Sequence, residues 1–136
     1  MYCSFDFGDR INCLGMEFPQ FPVVQAILCE QIMKHSIFWS QKDQIKLRAV
    51  DIGCAVGRTS YELTRTFDYV LGLDYSARFI QVASMLQSQD AIPYKFTLEG
   101  EIQQYKQATL DNSESLDVEY KFLSQLFDCS EGHKGL

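Results

Sequence analysis

The sequence predicts an open α/β fold built on a parallel sheet. Apolar runs of strand length at residues 47–52 and 69–74 alternate with helical patterns. A glycine turn, Gly53 to Gly57, leads from the first run into the helix behind it, and Asp74 closes the second. Strands alternating with helices imply crossover connections and parallel pairing. Open sheets of this kind bind ligands beyond the carboxyl ends of their strands. The turn and Asp74 both fall at that edge.

Each element has a local reason. Residues 1–20 read as irregular, because Gly8, Gly15 and Pro19 interrupt any period. Pro22 suits the first position of a helix running to about Phe38. Val24, Ile27, Leu28 and Ile32 form its apolar stripe at helical spacing. "SQKDQIK" (40–46) is a polar link, and Leu47–Ile52 reads as a buried strand. A helix follows from about Gly57 to Thr66, then a second strand, Tyr69–Asp74. Ser76 is the N-cap of a helix whose apolar face is Phe79, Val82, Ala83 and Leu86. Tyr94–Leu98 is a third strand, which Glu99-Gly100 turns into a hairpin with Ile102–Thr109. Val118–Leu123 is one more strand, and the last residues read as a frayed tail. The expected division is a cap segment and helix at 1–46, a core at 47–124 and a tail at 125–136.

The 136 residues fit one domain, and 46% hydrophobic with 22% charged residues is an ordinary globular composition. The net charge of −6 argues against a nucleic-acid partner. No apolar run approaches the ~20 residues that span a bilayer, and "MYCSFDFGDR" does not read as a secretory signal. Five cysteines, at 3, 13, 29, 54 and 129, show no C-x-x-C spacing and read as reduced thiols rather than metal ligands. A cytoplasmic protein without a metal is expected.

In "DIGCAVGR" the small residues Gly53, Ala55 and Gly57 are spaced G-x-A-x-G. A dinucleotide fingerprint would need a small residue at position 58, where Arg58 stands. The turn instead resembles that of S-adenosylmethionine (SAM) methyltransferases. Their cofactor carries no phosphate and needs backbone close to an amino-acid moiety and an adenosine. Gly53 removes a Cβ that would block this approach, and Ala55 is the largest group tolerated beside it. Arg58 either reinforces the positive helix end toward the methionine carboxylate or is a solvated surface arginine. Asp74, 17 positions after Gly57, is placed to accept from both ribose hydroxyls. Asp51 has a structural and cofactor-side role, and Cys54 and Tyr75 complete the expected cofactor-binding set.

"RAVDIGCAVGRTSYELTRTFDYVLGLDYSARFIQVASMLQ" closely resembles the methyltransferase domain of the ovothiol-biosynthesis enzymes, in which an iron-dependent sulfoxide synthase is fused to a C-terminal methyltransferase. The resemblance continues into "YKFTLEGE" (94–101) and, more loosely, "YCSFDFGD" and "FPQFP", and covers roughly residues 2–120. It implies a Rossmann-like class I SAM-dependent methyltransferase fold, in part: the N-terminal half of the parallel sheet plus an N-terminal helix. It also implies methyl transfer from SAM to an imidazole nitrogen of 5-thiohistidine. No catalytic base is named by the sequence; His35 reads as structural or exposed.

Two departures stand out. "FDFG" (5–8) places Asp6 where the family tends to have a histidine. After Val118–Phe122 the family continues with an acidic Q-G-D-A turn at the adenine end, whereas this chain reads "LSQLFDCSEGHKGL". The resemblance therefore implies a C-terminally truncated domain with an exposed sheet edge. The alternatives are a non-catalytic fragment that self-associates or binds a partner through that edge, and a nicotinamide-binding domain, which Arg58 disfavours.

Overall fold

The computed structural model describes residues 11–13, 16–18, 20–89, 91–99, 102–109 and 118–122. A short antiparallel ribbon, β1 (Ile11–Cys13) with β2 (Met16–Phe18), opens the described chain where irregular structure was expected. Helix α1 (Phe21–Lys34) follows, then a 3-10 turn at Trp39–Gln41. Next come β3 (Arg48–Ile52), α2 (Arg58–Leu63), β4 (Tyr69–Asp74) and α3 (Ala77–Gln89). A hairpin, β5 (Ala91–Glu99) with β6 (Ile102–Thr109), precedes β7 (Val118–Phe122). The expected tail at 125–136 lies outside the described residues.

The centre is a three-stranded parallel sheet in the order β3-β4-β7. Its register pairs Asp51 with Gly72 and Gly72 with Tyr120. One sheet face carries Ala49, Val70 and Val118, in register with one another. Ala26, Leu63 and Phe67 close over this face, with Met33, Trp39 and Tyr120 packed at its margin. Val70 is fully buried, a burial that contributes about 1.5–3 kcal/mol. The opposite face bears Arg48, Tyr69, Glu119 and Lys121. Arg48 lies 4.8 Å over the Tyr69 ring, Tyr69 donates its hydroxyl to Glu119, and Lys121 pairs with Glu119 at 2.9 Å. Those contacts push the Tyr69 phenol and the Lys121 ammonium up and the Glu119 carboxyl down.

Two tethers fix the entry to the sheet. The Asp68 carboxylate accepts from the Leu47 N–H at 2.7 Å, and the Leu47 carbonyl accepts from the Asp68 N–H at 2.9 Å. Gln87 of α3 donates to the Val118 carbonyl at 3.0 Å, holding that helix on β7. Ser76 caps α3 as expected: the Phe79 N–H donates to its hydroxyl at 3.4 Å.

Three sequence expectations change. The apolar stripe of α1 is not its buried side: Pro22 and Ala26 are buried, while Val24, Ile27, Leu28 and Ile32 are exposed. The helix also stops at Lys34, where His35 takes the C-cap and its N–H donates to the Ile32 carbonyl. Second, β3 is an edge strand rather than a buried one. Among the described residues it pairs only with β4, and Val50 and Ile52 stand exposed. Third, Tyr94–Leu98 forms the expected hairpin with Ile102–Thr109 but, among the described residues, does not supply the third strand of the parallel sheet. It lies in β5, whose described partner is β6, antiparallel with an irregularity between Thr97 and Glu99. The third parallel strand is β7. A three-stranded parallel sheet with crossover helices is a partial Rossmann-like α/β fold.

Candidate functional site

The glycine turn continues the β3–β4 ladder past its last strand residue. The N–H groups of Gly53 and Cys54 both donate to the Leu73 carbonyl, at 2.7 and 3.0 Å. The chain then reverses through positive φ at Gly53 (80°), Ala55 (47°) and Gly57 (88°). Glycine adopts such angles freely; alanine does so at a cost of about 1–2 kcal/mol. A hydrogen bond compensates at Ala55, whose N–H donates to Asp74 Oδ2 at 3.0 Å. The other Asp74 oxygen, Oδ1, accepts from the Ser76 N–H at 2.7 Å. Asp74 thereby ties the first turn to the start of α3.

Beneath the turn, Ser60, itself fully buried, donates to Asp51 Oδ2 at 2.6 Å. Burial raises the Asp51 carboxyl above its usual range; the Ser60 hydrogen bond opposes this and the nearby Asp74 charge adds to it. Burial also pushes the Cys54 thiol up to about 12, helped by the charges of Asp51 and Asp74. Cys54 is therefore a protonated packing group at neutral pH and not a nucleophile.

The two ordered glycines of the turn differ in purpose. A Cβ on Gly53 would meet nothing within 4 Å, so the space above it is open to a ligand. A Cβ on Gly57 would lie 2.5 Å from the Tyr120 hydroxyl oxygen, and one on Gly72 would lie 2.7 Å from the Tyr120 ring. Tyr120 of β7 thus lies under both, and its hydroxyl donates to the Gly57 carbonyl at 3.3 Å. Burial pushes its phenol above the ordinary range, with Cys54, Asp51 and Tyr61 acting in the same direction.

Of the expected cofactor-side residues, Asp51, Gly53, Cys54, Ala55, Gly57 and Asp74 meet at the carboxyl ends of β3 and β4. Tyr75 follows Asp74 and is largely exposed. Arg58 faces elsewhere, into an ion pair with Glu62 at 2.6 Å, while Arg65 holds the second Glu62 oxygen at 3.0 Å. Ser60 and Tyr120 had no sequence signal, and Gly72 had a faint one. They act across the fold rather than along the chain, although the glycine inside the run "YVLGLD" was the available hint of a close approach.

The family model for the Methyltransferase domain matches residues 50–123. That span takes in the turn, Asp74 and Tyr120, and covers just over half of the 136 residues. The chain belongs to this methyltransferase family, whose members use SAM as methyl donor. No curated protein matches the chain. Among the described residues, no helix is long and apolar enough to cross a membrane.

Proposed function

We propose that the turn and Asp74 form the SAM site, and that the methyl acceptor is an imidazole nitrogen of 5-thiohistidine. The observation that carries the cofactor reading is the open space above Gly53 beside the Asp74 carboxylate. Its two oxygens each accept one backbone N–H. A carboxylate has about four acceptor positions, so it retains capacity for ribose hydroxyls. Asp51 and Asp74 set acidic groups behind the turn, which favours a cofactor carrying cationic sulfonium and ammonium groups over one carrying a pyrophosphate. Gly53 admits the amino-acid moiety, Ala55 and Gly57 fix the loop beside it, and Cys54 fills the volume beneath. Tyr75 offers an exposed ring next to Asp74 for the nucleoside. Arg58, at the start of α2, is engaged in its ion pair with Glu62.

SAM supplies an activated methyl group open to displacement by a nucleophile. The chain's part is to hold the two reactants in line and exclude competing geometries, which is where much of the acceleration in such transfers arises. The acceptor assignment rests on the resemblance of residues 48–87 and 94–101 to the ovothiol methyltransferase domain.

Calorimetric titration with S-adenosylhomocysteine, with NAD as control, tests the cofactor. Saturable binding of the first alone is expected. Binding lost by at least 100-fold in Asp74→Ala, about 2.7 kcal/mol, assigns the ribose contact to Asp74, and unchanged affinity rejects it. Mass spectrometry of 5-thiohistidine incubated with SAM and the chain then tests the acceptor; no methylated product while the homocysteine analogue binds rejects it. The second reading, a non-catalytic chain that pairs through its sheet edge, draws on the exposed Val50 and Ile52 of β3. It predicts that neither cofactor binds.

A further inference from the structure

Helix α1 has two apolar sides: one packs on the core, and the other stands largely exposed. Pro22 and Ala26 are buried, and Met33 packs against the core. Phe21, Val24, Leu28 and Ile32 recur at the i, i+3, i+7, i+11 spacing that lines a single helical face. They are 71, 44, 59 and 64% exposed. Ile27 lines a cavity with Glu62 and Arg65, and the turns after the helix add Ile37 and Phe38, both exposed. Single exposed apolar residues are normal, but a stripe of this length is not. At these exposures the four stripe side chains leave on the order of 450 Å² of apolar surface open, within the ~300–600 Å² of the largest patch on a typical monomer. That is short of the ~800 Å² that a standard interface takes from each partner, so the contact is a modest one.

We infer that α1 is a homodimer surface, packing antiparallel against α1 of a second copy about a two-fold axis at Leu28. The centre of the stripe, Val24–Leu28–Ile32, is self-complementary, as an isologous contact requires. An axis at Leu28 sets Leu28 against its own counterpart, Val24 against Ile32 of the second copy, and Phe21 against His35 at the C-cap. Gln25, which accepts from the Thr59 hydroxyl at 3.1 Å, borders the contact. From Phe21 to Ile32 the face also holds no Asp, Glu, Lys or Arg. Glu30 and Lys34 are the helix's only charged residues, and they pair with each other at 2.5 Å. A self-pair therefore brings no like charges together in a chain of net charge −6, and a strongly charged partner finds nothing on this face to match. Antiparallel packing further sets each helix's positive end beside the other's negative end.

The competing apolar surface is the β3 edge. Two side chains, Val50 and Ile52, are open there, on a sheet face whose Arg48, Tyr69, Glu119 and Lys121 already form a polar network. The helix is the larger and drier surface.

Sedimentation of the full chain from about 2 to 200 µM tests the inference over the range expected for a modest apolar interface. The expected result is a concentration-dependent dimer. Leu28→Glu, at an exposed position, is expected to weaken it at least tenfold, about 1.4 kcal/mol, with an unchanged circular dichroism spectrum. In a Cys29→Ser background, Leu28→Cys is expected to oxidise to a disulfide-linked dimer far faster than Cys29→Ser alone. A monomer throughout the range overturns the inference. So does a dimer that survives Leu28→Glu, and sensitivity of that dimer to Val50→Lys would assign it to the sheet edge.

Discussion

The glycine turn and helix α1 are built on opposite plans. The turn is held by partners far away in sequence: Asp74 reaches Ala55, Ser60 reaches Asp51, and Tyr120 lies under Gly57 and Gly72. Helix α1 is locally regular, with proline in its first turn and an i,i+4 ion pair, and it commits only one narrow side to the core. The difference is one of specification. A strained backbone such as Ala55 at φ 47° persists only where its surroundings over-determine it. A helix closes its hydrogen bonds within its own turns, so its geometry is set locally even though packing supplies most of its stability.

Substitutions can break that contrast or sharpen it. The largest expected effect is at Gly57, where alanine would meet Tyr120 and also take a left-handed backbone. A loss of about 3–4 kcal/mol in urea unfolding is expected from overpacking and strain together. Gly72→Ala meets the same ring without a positive φ, so adding Tyr120→Val should rescue Gly72→Ala but not Gly57→Ala. Equal rescue of both would show that backbone strain at Gly57 matters little.

Next comes Ser60→Ala, expected to cost about 1–3 kcal/mol by leaving the Asp51 carboxylate without its short hydrogen bond. The pH dependence sharpens this. Burial holds the folded Asp51 pKa above its ordinary 3.8. A raised carboxyl contributes stability that is fully present below the unfolded pKa and lost as pH rises through the folded one. Ser60 favours the charged form, so its removal raises the folded pKa further and enlarges that loss. Asp51→Asn should flatten it. Thermal melts of the three proteins from pH 3.8 upward test this, and parallel curves would remove Asp51 from the account.

A smaller gain is expected from Ala55→Gly, about 1 kcal/mol of relieved strain less the added freedom of the unfolded chain. At the low end, Val24→Ser should change monomer stability by no more than about 0.5 kcal/mol. Ala26→Leu, two residues along on the other side, should cost about 1–3 kcal/mol. A reversed order would mean that the two sides of α1 have been interchanged.

What the sequence disclosed divides along the same line. The strand Tyr69–Asp74 was legible because its apolar run is bounded by turn signals and buried within the sheet. The turn and its aspartates were legible because their spacing is a local property of the chain. The buried side of α1 was not. Its most apolar stripe, Val24–Leu28–Ile32, outweighs the Pro22 and Ala26 that pack inward, and periodicity identifies a stripe without saying what covers it. The hairpin of Tyr94–Leu98 with Ile102–Thr109 was legible because Glu99-Gly100 marks its turn; that it stands apart from the parallel sheet was not, because strand length carries no pairing partner. Tyr120 escaped notice for a related reason. Nothing near position 120 announces that two glycines, 63 and 48 positions earlier, are shaped to receive it.

The protein's single tryptophan, Trp39, rests against the core where the link from α1 enters it, with Lys34 and Lys42 ammonium groups 5.9 and 4.6 Å from its ring. Its emission is therefore a local gauge. It reports when that link lifts off the sheet and the two cations leave the indole, and it is blind to the separation of β5 from β6. Fluorescence and circular dichroism melts that coincide would mean that the helical cap and the strands come apart as one cooperative unit. A fluorescence change at lower temperature would mean that the cap leaves first and that the sheet stands without it.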